Sequence, residues 1–406
     1  MVQDCVGPTD DSQTLLIRVW GPDRPGITTD LMSILASLDC EVQDLEQVLV
    51  RGHLTLAVAI NLFSPREDLV DALTGLTAAL GLESEIGDLP SSSTDKGRLD
   101  AVTVLGHGLE KCLSPTELGA VSGAVNSAGG NIDRIVRLAQ YPVYAYELTV
   151  AGADPIKMRK RLGEVATQNR LDIAIQPEGL GRRAKRLVVL DVDSTLIQDE
   201  VIELLGAEAG CAPAIREITE RAMRGEIDFE QALRERVRLL KGLDISAIDR
   251  ARSAMRLTPG ARTFVRTLKL LGYSVGIVSG GFTDFTDWLA AELNLDHAVA
   301  NHLEVRDGLL TGEVLGQVVD RARKAELLSQ FAAEEMIPLS QTVAVGDGAN
   351  DLDMLAIAGL GIAFNAKPVV QQAADTTVNV PFLDAILFVL GVTREEVERA
   401  DTLRPD

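Results

Sequence analysis

Two aspartates separated by one residue, Asp191 and Asp193, come at the end of a continuous apolar run, RLVVLDVDSTL at 186–196. Such a run is typical of a parallel strand that is buried on both faces, and ligand sites of open α/β sheets lie at the carboxyl ends of these strands. Two carboxylates about 4 Å apart repel each other by roughly 4 kcal/mol at an effective dielectric constant of about 20. The pair therefore predicts a bound cation, a carboxyl group that holds a proton, or both.

Three further stretches bring groups that suit an anion or a metal ion. Ser279 and Gly280 follow an apolar strand pattern and offer a hydroxyl and unencumbered backbone N–H groups to an anion. Lys324 falls in the first turns of a predicted helix, where its ammonium would neutralise that anion. The apolar run TVAVG is followed by hard oxygen ligands suited to Mg²⁺, namely Asp347, Asn350 and Asp351. Taken singly, each residue also fits a helix cap or a surface charge, but the four stretches in this order are specific.

Other sites built from these residue types are excluded by position. An EF-hand loop starting at Asp191 needs glycine at its sixth place and glutamate at its twelfth, where the chain has Leu196 and Ile202. The chain contains no P-loop, dinucleotide-binding or nucleophile-elbow motif. Calcium-loop, nucleotide and serine-hydrolase chemistry therefore have no support in the sequence.

Composition narrows the class of protein and its partners. The 406 residues are 46% hydrophobic and 24% charged, which is typical of a globular protein with two or three domains. The formal net charge of -21 argues against nucleic acid and anionic membrane partners. The polar N-terminus predicts a cytoplasmic protein without a secretory leader.

Two polar stretches, Asp88 to Arg98 and Gln176 to Arg186, read as linkers and divide the chain into three. The predicted domains are 1–90, 98–178 and 183–397. The basic residues of the second linker, RRAKR at 182–186, are interpreted as a solvated hinge, with an interaction patch as the alternative.

The first two domains are predicted to repeat each other. Residues 41–65 align with a stretch that ends at Pro155, and both predict a two-strand hairpin followed by an amphipathic helix. With the preceding strand and helix, each domain becomes βαββαβ. Each leaves an edge strand or an open sheet face for a partner to cover.

This layout resembles the ACT domain, a small regulatory fold that often binds amino acids between paired copies. The feature that carries the resemblance is GPDRPGIT at 21–28, where glycines let backbone N–H groups at a helix N-terminus face a carboxylate. The resemblance implies a homodimer and a serine or other amino acid effector at Asp23 and Gly26. Simple turn and cap chemistry is the alternative for these two residues, and the second copy lacks the Pro-Gly pair.

The set DVDST, SGG, Lys324 and GDGANDLDM resembles the haloacid dehalogenase superfamily of aspartate-nucleophile phosphatases. The resemblance implies a Rossmann-like parallel sheet with a helical cap at about 201–257. It implies Asp191 as the nucleophile that forms an aspartyl-phosphate and Asp193 as the general acid and base. Phosphate would be held by Ser279, Gly280 and Lys324. Mg²⁺ would be held by Asp191, the carbonyl of Asp193 and Asp347, with Asp351 supporting.

The cap sequence AMRGEIDFEQALRERV, together with Glu200, resembles the phosphoserine phosphatases within that superfamily. The resemblance implies that Glu200 pairs with the substrate ammonium and Arg236 with its carboxylate. It also implies a pocket walled by Met223 and Phe229, with Asn350 as a further substrate contact. Without the family, the two apolar residues read as core positions and the arginine as a surface charge.

These features predict Mg²⁺-dependent hydrolysis of O-phospho-L-serine in the last step of serine biosynthesis, regulated by amino acid binding. Two alternatives stay open at this point. One is a phosphatase or phosphotransferase for another small phosphorylated metabolite, because a fold constrains chemistry more than substrate. The other is an amino acid sensor whose catalytic domain is inert.

Overall fold

The fold is that of a computed structural model, which describes residues 13–89, 97–106 and 113–402. The chain forms two compact units, Met1–Asp95 and Lys96–Asp406. Among the described residues, no helix combines the length and the apolar character that crossing a bilayer requires. The predicted domain limits at 90, 98, 178, 183 and 397 stay predictions.

The first unit is a four-stranded antiparallel sheet with two helices. Its elements are β1 (Gln13–Pro22), α1 (Ile27–Ser37), β2 (Cys40–Val50), β3 (His53–Leu62), α2 (Arg66–Leu80) and β4 (Glu83–Asp88). The strand order is β2-β3-β1-β4. Every second residue of β1, from Leu15 through Ile17 to Val19, is fully buried, because alternate side chains of a strand point to the same face. These residues share a core with Leu31 of α1 and Leu69 of α2.

The second unit begins with the same order of elements. They are β5 (Leu99–Gly106), α3 (Pro115–Ser127), β6 (Asn131–Ala139), β7 (Tyr144–Ala151), α4 (Pro155–Asn169) and β8 (Leu171–Pro177), with strand order β6-β7-β5-β8. Ser114 and Glu117 cap the start of α3 reciprocally, and Asp154 caps α4. Both βαββαβ predictions are therefore confirmed. Residues 107–112, within the divergent turn of the second copy, lie outside the described residues.

The predicted solvated hinge at 182–186 is wrong for Arg182 and Lys185, whereas Arg186 is exposed as predicted. A short helix, α5 (Leu180–Arg183), follows β8, and Arg182 and Lys185 are 8% and 5% exposed. The guanidinium of Arg182 pairs with Glu147 of β7 and with Glu178, and the ammonium of Lys185 donates to the Ser340 carbonyl at 2.6 Å. Burial of a cation is tolerated when nearby acceptors compensate its charge. This stretch therefore links the second βαββαβ repeat to the part of the chain that follows it. The other predicted linker, Asp88 to Arg98, lies mostly outside the described residues.

The rest of the second unit is a seven-stranded sheet with helices. Its elements in order are β9 (Leu187–Leu190), α6 (Val201–Glu208), α7 (Ala212–Met223), α8 (Phe229–Arg238), α9 (Ser246–Ala254), α10 (Ala261–Leu270), β10 (Ser274–Phe282), α11 (Thr283–Leu293), β11 (His297–Arg306), β12 (Leu309–Leu315), α12 (Arg321–Glu334), β13 (Thr342–Gly346), α13 (Leu352–Ile357), β14 (Gly361–Phe364), α14 (Pro368–Ala373), β15 (Thr376–Val378), α15 (Ile386–Val389) and α16 (Arg394–Thr402). The strand order is β12-β11-β10-β9-β13-β14-β15. The neighbours from β11 to β15 pair in parallel, and β12 pairs antiparallel to β11 at the edge. All four residues of central β9 are fully buried, and the predicted α/β fold is confirmed.

The predicted cap segment contains four helices, α6 to α9. It leaves the sheet after β9 and returns before α10, and an antiparallel bridge pairs Ile197 at the exit with Leu257 at the return. Cap helix α8 packs against β12. The cap therefore lies over the edge of the sheet at which β9 and β10 end.

The second βαββαβ repeat packs on the seven-stranded half of its own unit. β8 lies beside β15, and β6 contacts α16. The Gln176 side chain donates to the Val389 carbonyl at 2.8 Å. The backbone and side-chain amides of Asn379 donate to the two carboxylate oxygens of Asp172, at 2.6 and 2.8 Å. Apolar residues of the repeat, including Leu138, belong to the same core as the central sheet.

Candidate active site

The loop after β9 positions Asp191 and Asp193, the pair that first indicated a site. The Asp191 N–H donates to the carbonyl of Val345 in β13 at 2.9 Å, which ties the loop to the neighbouring strand. The Asp191 carboxylate accepts from the Val192 N–H at 2.7 Å. The Asp193 carboxylate accepts from the Val201 N–H at 2.9 Å, at the start of the cap. Asp191 is 4% exposed, so its side chain lies inside the molecule.

Three carboxylates meet at this edge of the sheet. Oxygen atoms of Asp191, Asp347 and Asp351 all lie within 4.8 Å of one another. The Lys324 ammonium lies 2.8 Å from Asp191 Oδ1 and 2.7 Å from Asp351 Oδ1. Lys324 and Asp351 are both fully buried, so the alternative of a surface lysine is wrong. One ammonium against three carboxylates leaves negative charge that a divalent cation would balance.

Burial and mutual repulsion shift the titration of these groups. Burial, reinforced by the Asp351 charge, raises the pKa of Asp191 well above its ordinary value, and Lys324 opposes this shift. Burial alone would lower the pKa of Lys324, but Asp191 and Asp351 together raise it, so the amine stays charged. Burial, then Asp351, raises the pKa of Asp347 to about 6. The cluster of carboxylates therefore has an increased affinity for cations and for protons.

Asp193 has the titration expected of a group that exchanges protons near neutral pH. Burial, followed by the charge of Glu200, raises the pKa of Asp193 to about 7. A general acid and base works best when its pKa lies near the working pH. Asp193 is thus suited to proton transfer, and Lys324 is the one neighbouring charge that favours the ionised form of Asp191.

Ser279 and Gly280 lie within a bulge of β10 beside Asp193. The Ser279 hydroxyl oxygen accepts from the Gly281 N–H at 2.8 Å, and Ser279 belongs to a strand, so its alternative role as a helix cap is wrong. A Cβ on Gly281 would lie 3.2 Å from Asp193 Oδ2, and a Cβ on Gly280 would lie 2.9 Å from the Phe229 ring. Glycine at both positions lets the backbone lie close to these groups without displacing them.

The cap places groups of both signs at the same site. The Glu200 carboxylate accepts from the Ser194 hydroxyl at 2.8 Å. Arg236 is half-buried and donates to the Thr219 hydroxyl at 3.3 Å. Burial lowers the pKa of Arg236, while the charges of Glu200 and Asp193 oppose the shift. Met223 ends helix α7, and its side chain lies outside the described part of the chain.

The turn after β13 brings Asn350 and Asp351 back against the strand. A Cβ on Gly348 would lie 2.1 Å from Asn350 Oδ1, and a Cβ on Gly346 would lie 2.4 Å from the carboxyl carbon of Asp351. The Gly348 N–H donates to Asp351 Oδ2 at 3.0 Å. A side chain at Gly346 would overlap Asp351 and one at Gly348 would displace the Asn350 amide, and Asn350 lies half-buried beside the carboxylate cluster.

Three residues that the sequence reasoning did not single out also support the site. The Thr195 hydroxyl donates to Asp347 Oδ1 at 3.2 Å, and the Thr258 hydroxyl donates to the Thr195 carbonyl at 2.7 Å. Asn301, only 1% exposed, bonds to the Ser279–Gly280 loop through the Gly280 carbonyl. Asn301 is a polar residue inside a strand, the fifth of the ten residues of β11, and a polar residue at an inward strand position is the signal that could have found it. Thr258 carries no comparable signal.

The predicted effector residues belong to the first unit. Gly26 has φ 101° and stands before α1, where no side chain caps the helix N-terminus. The exposed Asp23 donates its N–H to the Gly52 carbonyl at 2.8 Å. This geometry is also what turn and cap chemistry requires, so the effector role stays a prediction.

Comparisons with known proteins agree with the resemblances found in the sequence. Residues 188–356 match the haloacid dehalogenase-like hydrolase family, and residues 13–86 and 100–176 each match an ACT domain family. The chain is 54% identical over 402 residues to a phosphoserine phosphatase of Streptomyces coelicolor, covering 98% of this chain and 97% of that protein. It is 44% identical over 399 residues to one from Mycobacterium tuberculosis, covering 96% and 95%.

A solved structure is similar to this chain over three quarters of its length. The unliganded probable phosphoserine phosphatase of Vibrio cholerae has a TM-score of 0.57 and 35% identity, and the match covers 75% of this chain and 89% of that one. The predicted family resemblance is therefore confirmed by sequence along nearly the whole chain and by fold along most of it.

Proposed function

The chain belongs to the phosphoserine phosphatases of the haloacid dehalogenase-like hydrolases, and from this premise we propose that it hydrolyses O-phospho-L-serine to L-serine and inorganic phosphate. The observation that carries the proposal is the carboxylate cluster of Asp191, Asp347 and Asp351, within 4.8 Å, with Lys324 between two of them. In metabolism this reaction would be the last step of serine biosynthesis.

Asp191 is the proposed nucleophile. One of its carboxylate oxygens would form a bond to phosphorus while the bond from phosphorus to the serine oxygen breaks, giving an aspartyl-phosphate that water then hydrolyses. Asp193 would give its proton to the departing serine oxygen and later take one from the attacking water. The pKa of Asp193, about 7, supports both directions of transfer.

Lys324, Ser279 and the backbone of Gly280 are the proposed phosphate contacts. The phosphoryl group carries negative charge on its nonbridging oxygens throughout the transfer, and preorganised donors stabilise that charge in a site that excludes water. What supports this role is that Lys324 and Ser279 are 0% and 1% exposed. Their positions are therefore set before substrate arrives.

Mg²⁺ is the proposed metal, because the donors of the site are hard carboxylate oxygens close enough together to share one ion. Asp191, Asp347 and the carbonyl of Asp193 would hold it. Asp351 would only support, since its two oxygens already accept from Lys324 and Gly348. When bound, Mg²⁺ supplies positive charge that reduces the repulsion between the nucleophile and the phosphate.

Substrate selection is assigned to the cap. Phosphoserine carries a phosphate, an ammonium and a carboxylate, and Lys324, Glu200 and Arg236 supply charges that match them in that order. Phe229, beside Gly280, would form an apolar wall of the pocket. Met223 and Asn350 are proposed as further contacts with the substrate.

We further propose a cytoplasmic homodimer whose activity responds to serine or another amino acid bound at Asp23 and Gly26. The uncapped N-terminus of α1 supports this role, because its free N–H groups suit a carboxylate. The test is to measure serine inhibition or activation of the wild type and of Gly26→Ala, with Gly52→Ala as a control at another glycine of positive φ. An equal serine effect in all three proteins would exclude the site.

The main test is phosphate release from O-phospho-L-serine and a panel of phosphorylated amino acids and sugars, with Mg²⁺ or EDTA. We expect phosphoserine to have the highest kcat/KM and EDTA to abolish turnover. A preference for a sugar phosphate would favour the broader metabolite phosphatase. Absence of release from every substrate would favour the sensor with an inert catalytic domain.

Asp191→Asn tests the covalent route. We expect kcat to fall at least about 10⁴-fold, because the nucleophile is lost. We expect the unfolding temperature in EDTA to stay within about 4 °C of the wild type, because the amide relieves repulsion in the cluster. Asp353→Asn, at a solvent-accessible aspartate of α13 that pairs with Arg321, is the matched control and should keep wild-type turnover. Substantial residual turnover in Asp191→Asn contradicts the covalent route.

A further inference from the structure

Asn301, the fifth of the ten residues of β11, uses both ends of its buried side-chain amide. Its Nδ2 donates to the Gly280 carbonyl at 2.9 Å, and its Oδ1 accepts from the Val319 N–H at 2.8 Å. The residue is 1% exposed, so water cannot replace either partner. A buried amide with two backbone partners of opposite polarity has only one orientation that satisfies both.

The first of these bonds compensates for an irregularity in the sheet. β10 and β11 pair regularly up to Val278 with Val299 and resume at Phe282 with Asn301, so three residues of β10 lie opposite one of β11. A bulge of this kind leaves backbone groups without hydrogen-bond partners in the neighbouring strand, and it changes the direction of the chain. Within the bulge, the Asn301 side chain supplies a partner to the Gly280 carbonyl, and the Ser279 hydroxyl supplies one to the Gly281 N–H.

The second bond reaches the segment that starts the helix of Lys324. Val319 directly precedes Asp320, whose side chain caps α12 by accepting from the Arg323 N–H at 2.8 Å. The Lys324 N–H donates to the Asp320 carbonyl at 3.0 Å within the first turn. The position of Val319 thus constrains that of the next residue, Asp320, which caps α12. The cap in turn constrains the position of the buried Lys324 ammonium.

We infer that Asn301 is a positioning residue that fixes the bulge of Ser279 and Gly280 relative to Lys324. Its side chain bonds to the backbone of Gly280 and Val319, and it acts by holding the two sets of donors that would surround the phosphoryl oxygens. The inference rests on the proposed function, since it concerns the transferring phosphate. Displacement of catalytic groups by about 1 Å lowers rates by roughly 100-fold, so a side chain that sets this spacing affects chemistry more than substrate binding through the cap.

Asn301→Ala is the first test, in the full-length protein with Mg²⁺. We expect kcat for O-phospho-L-serine to fall about 10- to 100-fold while KM changes less than about threefold. We expect the Kd of orthovanadate, which mimics the pentacoordinate phosphoryl group, to rise by a factor similar to the fall in kcat. Calorimetric titration measures that Kd independently of turnover and of the fraction of protein that is active.

Asn301→Leu covers the case in which the alanine variant does not fold. Leucine has nearly the shape of asparagine, so it fills the space but makes neither hydrogen bond, and we expect the same loss of kcat and of orthovanadate affinity. Thr286→Val is the matched control, because Thr286 is also 1% exposed and its hydroxyl bonds to the Thr283 carbonyl within α11. It should lose stability without a change in kcat or in orthovanadate affinity.

The two proposals fail in different ways. Wild-type protein that binds orthovanadate but turns over only another phosphate ester contradicts the proposed substrate, and the Asn301 comparison is then made with that ester. Asn301 variants that fold and keep wild-type kcat and orthovanadate affinity overturn the positioning role. So does a fall in kcat that matches only a smaller active fraction, with an unchanged Kd.

Discussion

At the scale of single residues, the site concentrates more negative than positive charge. Four aspartates and Glu200 converge on Lys324 and Arg236. Burial first, and then the neighbouring negative charges, raise the pKa values of Asp191, Asp193 and Asp347. Such a cluster is costly without a cation, because each ionised carboxylate is both desolvated and repelled. The excess of negative charge therefore lowers the stability of the metal-free protein and raises the affinity of the site for cations.

We expect Asp193 to make the metal-free protein less stable as pH rises. Its pKa of about 7 in the folded protein lies above the ordinary value of 3.8, so folding favours the protonated form. This contribution is fully present below the unfolded pKa and is lost as pH rises through about 7. Asp193→Asn cannot titrate, so the free energy of unfolding of the wild type should decrease relative to that of the variant between about pH 4 and 8.

Urea unfolding of both proteins in EDTA, across that pH range, measures the difference. Asp353→Asn, at an exposed ion pair, should follow the wild type. A constant difference between the wild type and Asp193→Asn would mean that Asp193 titrates normally in the folded protein.

At the scale of elements, the return of the cap is fastened to the loop that carries the two aspartates. The Thr258 N–H donates to the Leu196 carbonyl at 3.0 Å, and the Thr258 hydroxyl donates to the Thr195 carbonyl. On the other side, the Leu383 N–H donates to the Pro259 carbonyl at 2.8 Å. The start of α10 is thus clamped between the catalytic loop and the segment that precedes α15.

Gly260, between this clamp and α10, should tolerate no side chain. Its φ is 81°, and a Cβ there would lie 2.0 Å from Asp384 Oδ1 and 2.9 Å from the Asp384 backbone nitrogen. We expect Gly260→Ala to lower the free energy of unfolding by about 3 kcal/mol or more, through backbone strain and overlap together. We also expect the kcat of Gly260→Ala to fall, because the clamped segment before Gly260 is hydrogen-bonded to Thr195 of the catalytic loop.

Gly272 provides the control at the other end of α10. Its φ is 78°, but no atom lies within 4 Å of the place that a Cβ would take, so Gly272→Ala should cost only about 1–2 kcal/mol from the backbone alone. Denaturant unfolding of the two variants compares them directly. Equal losses would show that overlap with Asp384 contributes nothing.

At the scale of the whole molecule, the second βαββαβ repeat belongs structurally to the phosphatase half. Arg182 joins Glu147 and Glu178 and also lies 3.4 Å from the Val389 carbonyl. Breaking one side of a buried ion pair costs about 3–5 kcal/mol, and apolar contacts would be lost with it. The boundary between compact units falls at Asp95 and Lys96, ahead of this repeat.

We therefore expect truncation at two places to have different results. A chain that begins at Lys96 should unfold in one transition and keep the kcat of the full-length protein. A chain that begins at Gly181 should lose more than about 3 kcal/mol of stability, because the apolar core that the repeat shares with the central sheet becomes exposed to water. Thermal unfolding and phosphate release measure both proteins, and equal stability of the two chains would contradict the integral role of the repeat.

Much of this protein is determined by local sequence. Strands buried on both faces read as apolar runs, so the carboxyl ends of β9, β10 and β13 and the residues that follow them are predictable from the sequence alone. The hairpins of both repeats are equally visible, because alternation of apolar residues is a property of each strand by itself. The match of motif residues to strand ends is enough to predict the cluster around Asp191 and Lys324.

Only the tertiary structure decided which polar residues are buried and what satisfies them. RRAKR reads as solvated because the run itself contains no carboxylate, yet Glu147 and the Val389 carbonyl, two partners of Arg182, lie 35 and 207 residues away. Asn301 likewise acquires its role from a bulge in one neighbouring segment and a helix start in another. The free energy of a buried polar group depends on partners brought together by folding, and a local pattern of residue types does not contain that information.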